Sequence, residues 1–218
     1  MKKRNIIAIS ILSANFAVLG NYIKMLEEIN FGCWIHFDIM DGHFVPNIAL
    51  GSSVVKSLRK FTKLFFDIHL MVTNPEKYWK DFQRAGADLI TFHSEIKYDK
   101  KKLIKNIKLS RTKVGISINP ETSISTIEKF LPYIDIILIM SVNPGFSGQN
   151  FMKSIISKIE NIKKIIDKNK YHCLIEIDGG IDFQTAKICT SAGADVLVSG
   201  NYVFSSKNFI EAIKSISL

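Results

Sequence analysis

Cysteine is scarce in this chain. Cys33, Cys173 and Cys189 are the only three among 218 residues, and no two share C-x-x-C spacing. An odd, scattered set builds neither a disulfide framework nor a cysteine-based zinc site, and it suits a reducing compartment. Proline is nearly as rare, with 5 residues against 12 glycines, so collagen-like and Pro/Gly-rich classes are excluded. No apolar stretch approaches the roughly 18 residues of a membrane span. What remains is an ordinary globular balance, 47% hydrophobic and 22% charged, of a length that one domain over residues 1–218 accommodates.

Arginine is also scarce. Of the 29 basic residues 25 are lysine, and the formal charge is +9. Such a balance invites a nucleic-acid or membrane-surface reading. The chain also carries 35 isoleucines, however, and Lys and Ile share A/T-rich codons, so genome composition explains both excesses. The densest basic run, Lys97 to Lys108, carries Leu103, Ile104 and Ile107 at helical spacing. That is a solvated helix face over a buried one. No zinc-finger or RNP signature accompanies it. At the other trap, Met1-Lys2-Lys3-Arg4 before Ile6-Ile7-Ala8-Ile9 imitates a signal peptide, but polar residues interrupt the apolar run at once. Ile6 to Ile9 is read as a strand. The expected setting is cytoplasmic, with no nucleic acid and no membrane.

Short β-branched runs alternate with amphipathic segments from end to end. The pattern predicts strands over 5–10, 34–40, 64–72, 89–95, 113–119, 134–142, 172–178 and 196–201. Helices are predicted near 16–29, 51–61, 75–85, 99–109, 122–131, 150–169, 182–192 and 207–217. Eight strand–helix pairs with no spare linker point to a single (β/α)8 TIM barrel. The tetrapeptide Ala-Gly-Ala-Asp recurs at Ala85–Asp88 and Ala192–Asp195, four units apart, either as two helix caps or as a mark of two similar half-barrels.

Barrel strands alternate between the interior and the helices, and catalytic groups sit at their C-terminal ends. In the second strand Ile35, Phe37 and Ile39 must meet helices, so His36, Asp38 and Met40 point inward. In the third, Phe66, Ile68 and Leu70 point out, leaving Asp67, His69 and Met71 inside. The seventh places Glu176 and Asp178 inside, and the fourth places His93 beside Glu95. Asp67, Glu95 and Glu176 are expected deeper, His93 as a polar neighbour. Imidazoles and carboxylates converging in a barrel are costly to bury unless paired or metal-bound. His36, Asp38, His69 and Asp178 form a mixed N/O set suited to one divalent ion: Zn, Fe, Mn or Co. Asp178-Gly179-Gly180, Ser199-Gly200-Asn201 and the expectedly flexible loop Asn143 to Gln149 offer backbone amides to an anionic ligand on the same rim.

Here the chain resembles the ribulose-phosphate 3-epimerase family over nearly its whole length. The resemblance is carried by Ser10-Ile11-Leu12-Ser13-Ala14, by the run from His36 to Asn47, and by Asp67-Ile68-His69-Leu70-Met71-Val72. Val142-Asn143-Pro144-Gly145-Phe146-Ser147-Gly148-Gln149 and Asp178-Gly179-Gly180 complete it. Ile9, Asn15 and Asn201 depart from the family's commoner Pro, Asp and Ser. The resemblance implies metal-dependent interconversion of D-ribulose 5-phosphate and D-xylulose 5-phosphate in the pentose phosphate pathway, by an isomerase working through an enediolate. It implies that His36, Asp38, His69 and Asp178 bind the metal and that Asp38 and Asp178 are the acid/bases. Ser10, His69, Gly145, Phe146, Ser147, Gly148, Asp178, Gly179, Gly180, Gly200 and Asn201 would contact the sugar phosphate. Met40, Met71 and Met140 would cap the site, with ordinary core filling as the other reading. The partner is then a small sugar phosphate, and the assembly a homo-oligomer. Alternatives are an allulose-6-phosphate 3-epimerase, which usually lacks the second Gly of Asp178-Gly179-Gly180, and a non-enzymatic basic nucleic-acid-binding protein. A barrel like orotidine phosphate decarboxylase would need an Asp-x-Lys-x-x-Asp motif, which is absent.

Overall fold

The strand residues alternate between two solvents, and that alternation builds the architecture. The computed structural model describes residues 4–29 and 31–217. The Met1-Lys2-Lys3 start of the basic stretch and the outermost bounds of the 1–218 domain assignment lie outside the described residues. The strands are β1 (Ile6–Ser10), β2 (Trp34–Asp41), β3 (Ile48–Ala49), β4 (Phe65–Met71), β5 (Leu89–His93), β6 (Lys113–Ile118), β7 (Ile136–Met140), β8 (Leu174–Asp178) and β9 (Val196–Ser199). All pair in parallel except β3, and β1 pairs with both β9 and β2, so eight strands close into a barrel. Outward residues such as Ile35, Phe37, Phe66, Ile68, Ile137 and Ile175 join one core with the helices. Inward, the base of the barrel is apolar, with Ala8, Leu89, Ile136 and Val196 packed together, while Val198, level with Asp178, lines the cavity above.

Helices α1 (Leu19–Ile29), α2 (Ser52–Arg59), α3 (Pro75–Arg84), α4 (Lys100–Leu109), α5 (Ile156–Asn169), α6 (Phe183–Ala192), α7 (Asn201–Phe204) and α8 (Phe209–Ile216) follow the expected order. Ile159, Ile162 and Ile166 of α5 are buried, as the periodicity requires. The Lys-rich α4 buries Leu103, Ile104 and Ile107 beneath its solvated face. Several bounds differ from expectation. The helix expected at 122–131 is two 3-10 turns, Ile124–Thr126 and Glu128–Tyr133, the second containing Pro132, whose missing N–H prevents an α-helical continuation. Residues 150–152 lie outside any helix, with Met152 extended, before a 3-10 turn leads into α5. The eighth barrel strand stops at Ser199, and Asn201 opens the short α7.

The repeated tetrapeptide has a concrete job. Gly86 and Gly193 take φ of +102° and +114°, which lets the chain reverse after α3 and α6. The following Asp88 and Asp195 then clamp a neighbouring strand: their carboxylates accept the N–H of Phe66 at 2.8 Å and of Ile175 at 3.1 Å. Asp135 does the same for Val114 at 2.9 Å without the tetrapeptide. The helix-cap reading therefore accounts for the repeat. Removing one clamp should expose the cost of an unsatisfied donor. Asp195→Ala should lose about 1–2 kcal/mol in urea denaturation, whereas Asp195→Asn, which keeps an acceptor oxygen, should lose clearly less.

Candidate active site and metal centre

Parallel register carries the inward polar residues to one end. Ser10 is paired with His36, Asp38 with His69, and Met140 with Asp178. His36 and His69 are fully buried, Asp38 is nearly so, and the side chain of Asp178 is 15% exposed at the floor of an open cavity. His36 Nε2 lies 3.4 Å from Asp38 Oδ1 and 3.8 Å from Asp178 Oδ2; His69 Nδ1 lies 3.5 and 3.6 Å from the same two atoms. These spacings are too long for hydrogen bonds, and both ring nitrogens lack a partner. Two buried, orphaned imidazole nitrogens facing two carboxylate oxygens are costly as an arrangement of protein atoms alone. One ligand atom from each of the four residues lies within 4.8 Å of the others, so the set fits a divalent cation.

The surrounding bonds orient these groups. Ser10 Oγ donates to Asp38 Oδ2 at 2.7 Å, which leaves Oδ1 toward the imidazoles. His36 Nδ1 is 2.5 Å from Asp67 Oδ2, and His69 Nε2 is 2.8 Å from His93 Nε2. Burial disfavours charge on His36, but the Asp67 and Asp38 carboxylates outweigh it and hold the imidazole well above its usual range. The same contest leaves His69 raised, with burial and the His36 charge opposing the pull of the nearby Asp178 and Asp38 carboxylates. Burial works against the Asp38 carboxylate too, yet His36 and His69 bring it well below the normal carboxylate range. Beneath, burial and the Asp67 charge drive Glu176 well above it. Burial, with the His69 charge, pushes His93 down to about 4. Glu95 is lowered to about 2, because bonds from His93, Thr122 and Asn119 override its burial.

Asp67 and Glu176 are fully buried below the four-residue set, as expected from their strand positions. Glu95 is not deeper. It follows the end of β5 in a turn, with its side chain 24% exposed. His43 is exposed and bonded to the backbone of Asp41, outside the set.

Above the four residues opens a cavity of about 430 Å³. Ser10, Asp38, Met40, Met71, Met140, Asp178, the Gly145–Gly148 stretch, Gly179, Gly180, Gly200 and Asn201 all line it. His36 and His69 sit beneath Asp38 and Asp178 and do not reach its surface. The sequence reading does not single out Ser13, Lys153 or Thr185, which also line it. Ser13 lies within the first motif, whereas nothing in the local pattern marks Lys153. The loop after β7 is braced rather than loose: Gln149 Nε2 donates to the carbonyls of Asn143 and Phe146, and Asn47 Nδ2 to that of Gly145. Gly200 is required by close approach, since a Cβ there would lie 2.9 Å from both Ser10 O and Ser13 Oγ.

Comparison with known proteins agrees with this geometry. The sequence model of the ribulose-phosphate 3 epimerase family matches residues 6–204. The ribulose-phosphate 3-epimerase of Bacillus subtilis (strain 168) is 43% identical over 211 residues, covering 96% of this chain and 97% of its own. The chloroplastic ribulose-5-phosphate-3-epimerase of Arabidopsis thaliana is 45% identical over 97% of this chain and 75% of that protein. Among solved structures, 3-keto-L-gulonate-6-phosphate decarboxylase from Vibrio cholerae superimposes with a TM-score of 0.69 at 11% identity, covering 98% and 96% of the two chains. Orotidine 5'-phosphate decarboxylase from Pyrococcus horikoshii does so at 0.68 and 15%, over 97% of each. At that identity the likeness establishes the barrel alone.

The raised His36 and His69 set the sign of a pH effect. A ring that holds its proton above the usual range must release it before its nitrogen can accept a metal. Co2+ affinity, measured by chelator competition, should therefore fall by about tenfold per pH unit for each proton displaced as pH drops through the raised value. His69→Ala should lose most of the bound cation at every pH; full retention would remove His69 from the ligand set.

Proposed function

The chain belongs to the ribulose-phosphate 3-epimerase family, and on that premise we propose that Asp38 and Asp178 are its two acid/bases, acting at C3 of the sugar phosphate. The protein is an isomerase of the pentose phosphate pathway that interconverts D-ribulose 5-phosphate and D-xylulose 5-phosphate. One observation carries the assignment of roles. Two carboxylates from separate strands converge with two orphaned imidazole nitrogens at the floor of a cavity rimmed by glycine-rich loops.

The C3 proton lies beside a ketone, and its removal gives an enediolate. Inversion needs one group to take the proton from one face and another to return it to the opposite face. β2 and β8 are separated around the barrel by β1 and β9, so Asp38 and Asp178 approach a central substrate from different sides. One carboxylate must be ionised while the other carries a proton, and the roles exchange in the reverse direction. The Ser10 hydrogen bond fixes the rotamer of Asp38, and partial exposure leaves Asp178 open to the cavity. His36, Asp38, His69 and Asp178 would hold one divalent ion (Zn, Fe, Mn or Co), which when bound supplies positive charge beside the developing oxyanion. Met40, Met71 and Met140 bring thioethers rather than protic groups to the cavity, which supports a role in keeping water from the reacting carbon.

The phosphate end is assigned to the loops after β7, β8 and β9, through Gly145, Phe146, Ser147, Gly148, Gly179, Gly180, Gly200 and Asn201. The N–H groups of Gly180 and Gly200, at the rim of the cavity, make no backbone hydrogen bond outside the ladders among the described residues, which supports a backbone anion site. We extend the proposal to a cytoplasmic homo-oligomer acting on a small sugar phosphate rather than on nucleic acid. Phe16, Val18, Met25 and Phe61 expose apolar surface around α1, of the kind a second copy covers. No described helix is long and apolar enough to cross a membrane.

The two-face assignment is tested by isotope exchange. Asp38→Asn and Asp178→Asn should each lose epimerisation by several orders of magnitude while keeping a ligand oxygen. In deuterated water the residual exchange at C3 should come from one epimer only, and that epimer should reverse between the two variants. Exchange of the same epimer by both metal-replete variants would show a single shared base. For the phosphate, Gly200→Val should raise KM strongly, because its side chain meets Ser10 and Ser13 at the cavity wall; an unchanged KM would move the phosphate elsewhere.

A further inference from the structure

A chain of hydrogen bonds leaves the proposed metal centre on the side away from the cavity. His69 presents Nδ1, without a partner, to Asp38 and Asp178. Its other nitrogen lies 2.8 Å from His93 Nε2, and His93 Nδ1 lies 3.3 Å from Glu95 Oε2. Both rings are fully buried. The second carboxylate oxygen, Glu95 Oε1, accepts the N–H of Asn119 at 2.9 Å and the hydroxyl of Thr122. Lys158, on α5, donates to the carbonyls of Asn119, Pro120 and Thr122 at 3.2, 2.6 and 2.7 Å, and so ties that turn to the helix.

The chain has a direction that elementary valence imposes. A neutral imidazole has one N–H and one lone pair, so two rings meeting at Nε2 must comprise one donor and one acceptor. An ionised carboxylate only accepts. Glu95 therefore takes the Nδ1 proton of His93, which leaves a lone pair on His93 Nε2. His69 must then donate from Nε2, and once the ring is neutral its Nδ1 carries a lone pair toward Asp38 and Asp178. His36 obtains the corresponding constraint in one step, from Asp67 against its Nδ1.

We propose that Glu95, acting through His93, is a positioning residue that sets the tautomer of His69 and so presents the Nδ1 lone pair to a divalent cation. The inference rests on the metal reading given above. Orienting partners behind a metal-bound histidine are commonly worth 10–100-fold in affinity.

An amide in place of the carboxylate separates polarity from mere support. In Glu95→Gln the carbonyl oxygen must face the fixed N–H of Asn119, because the reverse orientation would set two donors against each other. The amide NH2 then points at His93 Nδ1, which must become an acceptor. His93 in turn donates from Nε2, and His69 is driven to carry its proton on Nδ1. In Glu95→Ala the bonds to Asn119 and Thr122 are lost, but water can reach His93 at this partly exposed position and serve as donor or acceptor.

The test measures Co2+ dissociation constants of metal-free wild type, Glu95→Ala and Glu95→Gln by competition with a chromophoric chelator, alongside urea denaturation of the metal-free proteins. The expected affinity order is wild type, then Glu95→Ala, then Glu95→Gln, with the last weakened by about 10–100-fold. Stability of the metal-free forms should place Glu95→Gln above Glu95→Ala, the opposite order, because Gln retains the acceptor for Asn119 and Thr122. If Glu95→Gln binds Co2+ as tightly as Glu95→Ala or wild type, the tautomer role is overturned and Glu95 only braces the turn. If wild type itself binds no Co2+, the metal centre fails and this inference fails with it.

Discussion

Everything at the C-terminal end of the barrel depends on the cost of burying ionisable groups. Parallel pairing sends alternate residues of β2, β4, β5 and β8 into an interior closed to bulk water, and those residues include imidazoles and carboxylates. Each needs a partner or must give up its charge. The structure grades the solution by depth. The base of the barrel is apolar around Ala8, Leu89 and Ile136. Above it burial beside Asp67 raises Glu176 well above the usual carboxylate range, and Asp67 itself bonds His36. Unmatched atoms persist in that layer too, at Asp67 Oδ1 and both Glu176 oxygens, but the set that opens to the cavity is the uppermost, where His36 Nε2 and His69 Nδ1 face Asp38 and Asp178 without a partner. Unmet electrostatic demand thus reaches the surface beneath the candidate cavity.

The loops above that set hold their shape through their own backbones. Asp41 accepts three main-chain N–H groups, from His43, Phe44 and Thr73, which fix the turn after β2. Ser141 donates from Oγ to the carbonyls of Asp178 and Gly179 and so couples the end of β7 to that of β8. Gly179 sits close against this corner: its φ is +121° and an added Cβ would approach Val142 Cγ2 to 2.5 Å. Glycine there serves two needs at once, the turn and the close approach. The side chains proposed for proton transfer therefore rest on strand ends, while the loops above them are held by main-chain bonds.

Much of this was legible in the linear sequence because a barrel strand has a strict two-residue period. Ile35, Phe37 and Ile39 must face helices, which leaves His36 and Asp38 no direction but inward, and the same holds at His69 and Asp178. Diagonal contacts were not legible. His69 is paired across the ladder with Thr91, yet its ring meets His93, two residues further along β5. That contact follows from the stagger of tilted strands, which no single strand encodes. Glu95 escapes the pattern for a related reason: the alternation of Ile90, Phe92 and Ser94 against Thr91, His93 and Glu95 reads on as strand, but the chain turns after His93. The 3-10 turns around Pro132 and the two-residue β3 carry too few periodic positions to mark themselves.

The aspartate clamps lie at the opposite rim from the site. Asp88, Asp135 and Asp195 each tie a strand at its entry into the barrel, through backbone bonds that ask nothing of the loops where the strands leave. Integrity and chemistry are thus assigned to opposite ends of the same strands. Such a division leaves the exit loops free to be rewritten without loosening the frame. Decarboxylases that share this barrel at 11–15% identity show how far the rest of a sequence can drift around a common frame. For an engineer, the practical reading is a socket. New exit loops can be grafted above a retained lower rim, and the limit on what they may do is set by the buried imidazoles and carboxylates left standing beneath them.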